Sequence, residues 1–138
     1  MPHVRVQVLC GPASVHPRRM GWPAGSISHG AWYAWRLIGT NNHELGRSAV
    51  SSGSYESALA AFDELRDGLD RAVQLPVAER PTGRWGWRLE LDGAPVAVSG
   101  RWYQRDKLSL LGAAKFVALC AGAEPAEGVV ALLDRGAR

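Results

Sequence analysis

Two stretches of the chain, Trp32-Tyr33-Ala34-Trp35-Arg36-Leu37-Ile38 and Arg84-Trp85-Gly86-Trp87-Arg88-Leu89-Glu90-Leu91, share the pattern aromatic-x-Trp-Arg-Leu at an offset of 52 residues. In the second, Trp85, Trp87, Leu89 and Leu91 alternate with small or charged residues. This is the period of a half-buried strand with its large side chains facing inward. The first places Tyr33, Trp35 and Leu37 on the equivalent face.

The likeness continues downstream. A polar turn follows each strand, Gly39 to His43 in one copy and Asp92-Gly93 in the other. Asp-Gly between alternating runs predicts a tight hairpin, because both residues tolerate positive φ. A short strand ending in serine comes next, Leu45 to Ser48 against Val96 to Ser99, at an offset of 51, with Val96 and Val98 on the core face. Tyr55 and Tyr103 then open apolar segments of helical period, and about three extra residues at Ala49–Ser54 separate the copies. Internal similarity of this kind identifies a duplicated supersecondary unit.

In the first helical segment Tyr55, Leu59, Phe62, Leu65 and Leu69 draw one apolar stripe, opposite Glu56, Asp63, Glu64, Arg66, Asp67 and Asp70. Ser54 is the expected N-cap and Gly68 lies near the far end, so this helix falls within 54–73. In the second, Tyr103, Leu110, Leu111, Ala114 and Val117 form the stripe. Gly122 and Pro125 end it, and Asp106 is an alternative N-cap. Val4, Val6 and Val8 alternate with Arg5 and Gln7 as another strand. Val73 to Val77 reads as a short or edge strand because of Pro76. Gly128 to Leu133 reads as a last strand or a helical turn, and residues 11–30, rich in Gly, Pro, Ser and His, as a long hairpin loop. The predicted core is Tyr33, Trp35, Trp85, Trp87, Phe62, Leu65, Leu110 and Val117.

Composition bounds the rest. With 138 residues the chain suits a single domain, 1–138. It is 46% hydrophobic and 21% charged, which excludes wholesale disorder. No apolar run reaches the length of a membrane span, and the opening MPHVRVQVLCGPASV does not have the layout of a signal peptide. Cys10 and Cys120 stand far apart, with no CxxC, and read as small buried hydrophobes in a reducing compartment. The expected location is the cytoplasm. Net charge is +3, and of 16 basic residues only Lys107 and Lys115 are lysines. Charge is uneven: +4 over residues 1–50, −3 over 51–80 and +2 over 81–138. A basic sheet with an acidic helix gives this pattern, and a nucleic-acid partner could exploit it.

Aromatic-x-aromatic-x-Leu, a turn with Asn or Gly, a strand ending in Ser, a Tyr and then a helix, all occurring twice, resembles the YegP-like proteins. The resemblance covers roughly residues 3–133. Its anchors are Trp35-Arg36-Leu37, Ser48 and Tyr55, then Trp87-Arg88-Leu89, Asp92-Gly93, Ser99 and Tyr103. It implies an α+β fold of two tandem β-β-β-α repeats, about 3–73 and 74–133. Their strands would form one antiparallel sheet with two helices packed on one face. It implies no chemistry, since the family is a domain of unknown function. The loop at 11–30 is longer than the family's, and the YxSK segment common in relatives stands here as Tyr55-Glu-Ser-Ala58 and Tyr103-Gln-Arg-Asp106.

If helices cover one side of the sheet, Trp32, Ala34, Arg36, Arg84, Gly86, Arg88 and Glu90 lie on the other. Trp32, Arg36, Arg84 and Arg88 are the candidate binding residues. Arg36 and Arg88 occupy equivalent places in the two copies and are expected near each other. Such a face can stack bases or bind an acidic peptide, and it can equally be a solvated surface with Arg–Glu pairs such as Arg88 and Glu90. His3, His16, His29 and His43 lack metal spacing. There is no GxSxG, P-loop or GxGxxG, and no helix pattern follows Gly11-Pro12-Ala13-Ser14. Catalytic residues, cofactors and metals are therefore not expected. Ser48, Ser99, Tyr55 and Tyr103 fit backbone-bonding positions at strand ends and helix starts. The expectation is a small non-enzymatic binding or interaction module, monomeric or weakly homodimeric. Its partner would be a protein, with Trp22 and Trp32 exposed, or alternatively a nucleic acid on the Arg/Trp face, and no membrane.

Overall fold

The computed structural model describes residues 3–12 and 30–131. In chain order the elements are β1 (Arg5–Pro12), β2 (Ala31–Ile38), β3 (Glu44–Ser48), α1 (Tyr55–Asp67), β4 (Val73–Ala78), β5 (Trp85–Leu91), β6 (Ala94–Val98), α2 (Asp106–Cys120) and β7 (Glu124–Ala131). A 3-10 turn, Leu69–Arg71, follows α1. The architecture is α+β, with one sheet in the order β4-β5-β6-β3-β2-β1-β7.

The sheet is mixed, which corrects the antiparallel expectation: β7 runs parallel to β1, and the other neighbours are antiparallel. A tight hairpin forces antiparallel neighbours, but β7 joins the sheet through α2, and no hairpin sets its direction against β1. Val6 pairs with Pro125 and Val8 with Val129, so β7 carries a bulge in which Gly128 takes φ +79°. The tail is thus a strand, beginning at Glu124. Edge strand β4 contains Pro76, as the sequence suggests, and Asp92 and Gly93 turn between β5 and β6 with φ +53° and +83°.

Both helices pack on one face of the sheet. Trp35, Leu37, Trp87 and Leu89 meet Phe62 and Leu65 of α1 and Ala113, Phe116 and Cys120 of α2 in one cluster. Trp35 takes Phe62 edge-on at 5.1 Å and stacks with Phe116 at 6.1 Å, while Trp87 meets Phe116 at 4.9 Å. Gly46 makes the room: a β-carbon there would lie 2.6 Å from Trp87 Cη2 and 2.7 Å from Phe116 Cδ2. Ser54 caps α1, accepting from the Ser57 amide at 3.0 Å, and Ser57 Oγ accepts from the Ser54 amide in return.

Several core expectations need correction. Tyr33 and Trp85 are only half-buried; their amides donate to the Ser52 and Tyr103 carbonyls at 2.8 and 2.7 Å, at the start of each strand. Helix α2 starts at Asp106, three residues after Tyr103, and buries Ser109, Ala113, Phe116 and Cys120. Leu110 is half-buried, Ala114 exposed and Leu111 67% exposed. The segment is apolar on most sides, so periodicity left its phase open. Ser109 is buried because its hydroxyl donates to the Asp106 carbonyl at 2.7 Å. Gly11 and Pro12 belong to β1. The rest of the expected 11–30 loop, through His29 and including Trp22 and His16, lies outside the described residues.

Candidate binding cleft on the outer sheet face

The face turned away from the helices is organised by strand register. Gln7 stands opposite Arg36, Arg36 opposite Arg47, Arg47 opposite Val98, Val98 opposite Arg88 and Arg88 opposite Leu75, one row across six strands. Arg36 and Arg88 therefore share a row without touching, a correction of their expected proximity. The sheet order inserts β3 and β6 between them, three strand spacings or about 14 Å.

A bulge places the acid of this row. Gly46 pairs with Leu37 and Glu44 with Ile38, so Leu45 is the extra residue, and Glu44 and Arg47 project from the same face. The Glu44 carboxylate accepts from Arg47 Nε at 2.8 Å and Nη2 at 3.0 Å, and Arg36 Nη1 lies 3.7 Å away. Arg36 Nε also donates to Gln7 at 2.8 Å.

The four sequence candidates fare differently. Trp32 is on the outer face but 0% exposed, packed with Leu9 and Ala34, so it is no binding surface. Gly11, directly opposite, admits the ring: a β-carbon there would lie 2.6 Å from Trp32 Cε2. Arg36 is held by Gln7 and Glu44. Arg84 lies just before β5, bonded to Glu79 at 2.7 Å, with its guanidinium 5.5 Å from the Trp102 ring centroid. The Thr82 hydroxyl and then the Arg84 guanidinium hold Glu79 below the usual carboxylate range, against a partial desolvation cost.

Arg88 does line a cleft, of about 330 Å³. Its floor is Val77, Gly86, Arg88 and Val98, adjacent outward positions on β4, β5 and β6, and its wall is the Ser99–Trp102 loop. The outward place of Val98 corrects its expected core position: Val96 is the extra residue of a bulge, so Val96 and Val98 do not share a face. The Trp102 ring leans over Gly86, where a β-carbon would come within 3.1 Å of Cζ3, and the side chain is 42% exposed. Three arginines, 47, 88 and 101, and no acidic residue line the space. Arg88 Nη2 reaches Glu90 at 2.9 Å, but its Nε is buried with no acceptor among the described residues. Arg101 lies 4.8 Å over the Tyr103 ring and forms no ion pair among the described residues.

Sequence periodicity does not single out Arg47, Arg101 or Trp102. Arg101-Trp102 sits in a loop, outside any alternating strand, and only its fold back over Gly86 gives it a role. The one available signal was an Arg-Trp pair directly after Ser99-Gly100, where the periodic pattern stops.

The serines behave as expected: the Trp35 amide donates to Ser48 Oγ and the Trp87 amide to Ser99 Oγ, both at 3.2 Å. Among the described residues no cluster of His, Cys, Asp and Glu could hold a metal, and no helix is long and apolar enough to cross a membrane.

No model of a known protein family matches the chain, and no curated protein matches it. Solved structures do. The protein of unknown function yegP from E. coli is similar over 96% of both chains, with a TM-score of 0.57 and 12% identity. A UPF0339 protein from Shewanella oneidensis is similar over 92% of both chains, with a TM-score of 0.54 and 10% identity. Agreement over nearly the whole of each chain at such low identity establishes shape, not chemistry: the protein has the YegP-like fold.

Proposed function

We propose that the protein is a small binding module without catalysis of its own, whose outer sheet face receives an anionic partner in the Arg88–Trp102 cleft. One observation carries this reading: three arginines and no acidic residue line a concave space floored by Val77 and Val98. Concave, mostly apolar sites with a few convergent polar groups are where ligands bind. Arginine at such a site recognises carboxylate or phosphate through paired donors.

The module is a single domain of two β-β-β-α units, about 3–73 and 74–133. Support comes from the matched serine hydrogen bonds behind Trp35 and Trp87 and from the matched element order. Nucleic acid is the second reading, favoured by Trp102, an exposed ring beside guanidinium groups on which a base could stack.

The test is a titration with a glutamate-rich peptide and a gel shift with single-stranded and duplex nucleic acid at two salt concentrations. Binding that weakens with salt supports the module reading. The absence of any shift at low salt removes the nucleic-acid reading. An Arg36→Glu/Arg88→Glu variant that binds as well as the parent removes the outer face.

A further inference from the structure

Resting on that reading, we infer that the cleft takes a single small aromatic anion, of the class of a nucleoside monophosphate: one flat ring system carrying one phosphate. Size comes first. About 330 Å³ is at the lower end of ligand sites, which run from about 300 to 1,000 Å³. It holds one compact molecule.

The lining has two unlike ends. Trp102 leans over Gly86 beside the apolar floor of Val77 and Val98, a surface for a flat ring. Arg101 supplies a charge uncompensated among the described residues, and Arg88, whose Nη2 is paired with Glu90 at 2.9 Å, supplies its remaining donors. Arg88 keeps a buried Nε–H with no acceptor among the described residues, and an unmet buried donor favours a ligand that brings an acceptor. Arg101 is exposed and without an ion pair among the described residues.

The rest of the face argues for one nucleotide and not a strand. A polymer needs a continued track of cations to follow its phosphates. Here the other cations of the face are already engaged: Arg47, in the cleft lining, by Glu44, and beyond the cleft Arg36 by Gln7 and Glu44 and Arg84 by Glu79. An acidic peptide would satisfy Arg88 and Arg101 but would leave Trp102 and the valine floor unmatched.

The experiment is an NMR shift titration of the full chain. Probes are AMP, adenosine, inorganic phosphate, a hexaglutamate peptide and a single-stranded DNA 12-mer. AMP is expected to move the Gly86 and Gly100 amides and the Trp102 indole saturably, with adenosine and phosphate each at least about tenfold weaker. Arg88→Gln and Trp102→Ala should each weaken AMP by about tenfold or more, and Trp102→Phe should restore most of that loss. Arg71→Gln, at a side chain that pairs with Asp92 and does not line the cleft, should leave AMP binding unchanged. Adenosine binding as tightly as AMP, or an Arg88→Gln variant with unaltered affinity, overturns the inference. So does the 12-mer binding far more tightly than AMP with the salt dependence of several phosphates. If hexaglutamate moves the cleft resonances and AMP does not, this inference fails while the anion-binding reading stands. If no anion moves them, both fail.

Discussion

Glu44 and Arg47 are three residues apart on one strand and yet on the same face, because the bulge at Leu45 resets the alternation between them. Without the bulge they would face opposite sides of the sheet. With it, one carboxylate is chelated by Arg47 and approached by Arg36, and Glu44 and Arg47 are 13% and 19% exposed. The carboxylate thus sets how much positive charge the outer face presents.

Glu44→Gln should therefore act in two directions. Two facing arginines lose their common counterion, and the fold should lose about 1.5–3 kcal/mol, the range for a hydrogen bond to a charged group. Arg47, which lines the cleft, loses the carboxylate that holds its Nε and Nη2, so affinity for small anions should rise about fivefold, equivalent to about 1 kcal/mol. Urea denaturation and anion titration of the same variant measure both. Lower stability with unchanged or weaker anion binding would show that Glu44 does not restrain the cleft.

The second prediction concerns space. Gly46→Ala puts a methyl group against Trp87 and Phe116, the rings that join sheet to helix α2. Overpacking of this kind costs about 1–3 kcal/mol. Gly122→Ala is the matched control, since nothing lies within 4 Å of a β-carbon there and its φ is not positive. It should be neutral or raise stability by about 0.4–1 kcal/mol through the unfolded chain. Equal effects of the two substitutions in a urea midpoint assay would contradict the packing account.

What the sequence reveals follows from how local each determinant is. The strand faces of Trp35 and Trp87, the Asp92-Gly93 turn and the Ser54 cap rest on neighbouring residues, and all hold in the structure. Three features rest on distant partners. The direction of β7 is decided where it meets β1. The burial of Trp32 depends on Gly11 opposite it, and Trp102 gains its place from lying over Gly86. Helix α2 fails for another reason: Leu108, Leu110, Leu111, Phe116, Val117 and Leu119 surround it, and no single stripe stands out. The arginine face is legible at Arg36 and Arg88 because both follow a Trp in the shared Trp-Arg-Leu pattern. Its neutralisation is not, since that depends on one bulge.

Burial also fixes the chemistry of a cysteine. Desolvation pushes the Cys120 thiol up to about 12, with the Arg66 guanidinium opposing. The folded pKa lies above the ordinary thiol value of 9.0, so the protonated thiol favours the fold fully below about pH 9. That advantage is lost progressively as pH rises from about 9 toward 12. Cys120 in the native protein should resist a thiol reagent at about pH 8 and react fully once denatured. The stability gap between parent and Cys120→Ala should narrow between about pH 8 and pH 10.5. A gap that widens with pH would reverse the sign argued here.

The two helices differ in how they begin. Helix α1 has a reciprocal cap, Ser54 with Ser57, whereas α2 starts from Arg105, whose side chain caps nothing although its backbone, φ −136° and ψ 150°, is in the extended N-cap conformation. Four orphan amides open every helix, and a short acceptor side chain at the N-cap satisfies one or two of them. Ser54→Ala should therefore cost about 1 kcal/mol. Asp106 Oδ1 already accepts from the Lys107 amide at 2.8 Å, so Arg105→Asp should add only about 0.5 kcal/mol, through a second acceptor at the N-cap and a charge that suits the helix dipole. Arg105 does not line the cleft, so the gain should leave anion binding within about twofold of the parent. Thermal melts of the two variants, with the anion titration repeated on Arg105→Asp, decide the matter. A destabilised Arg105→Asp would mean that the first turn of α2 is held by contacts stronger than its cap.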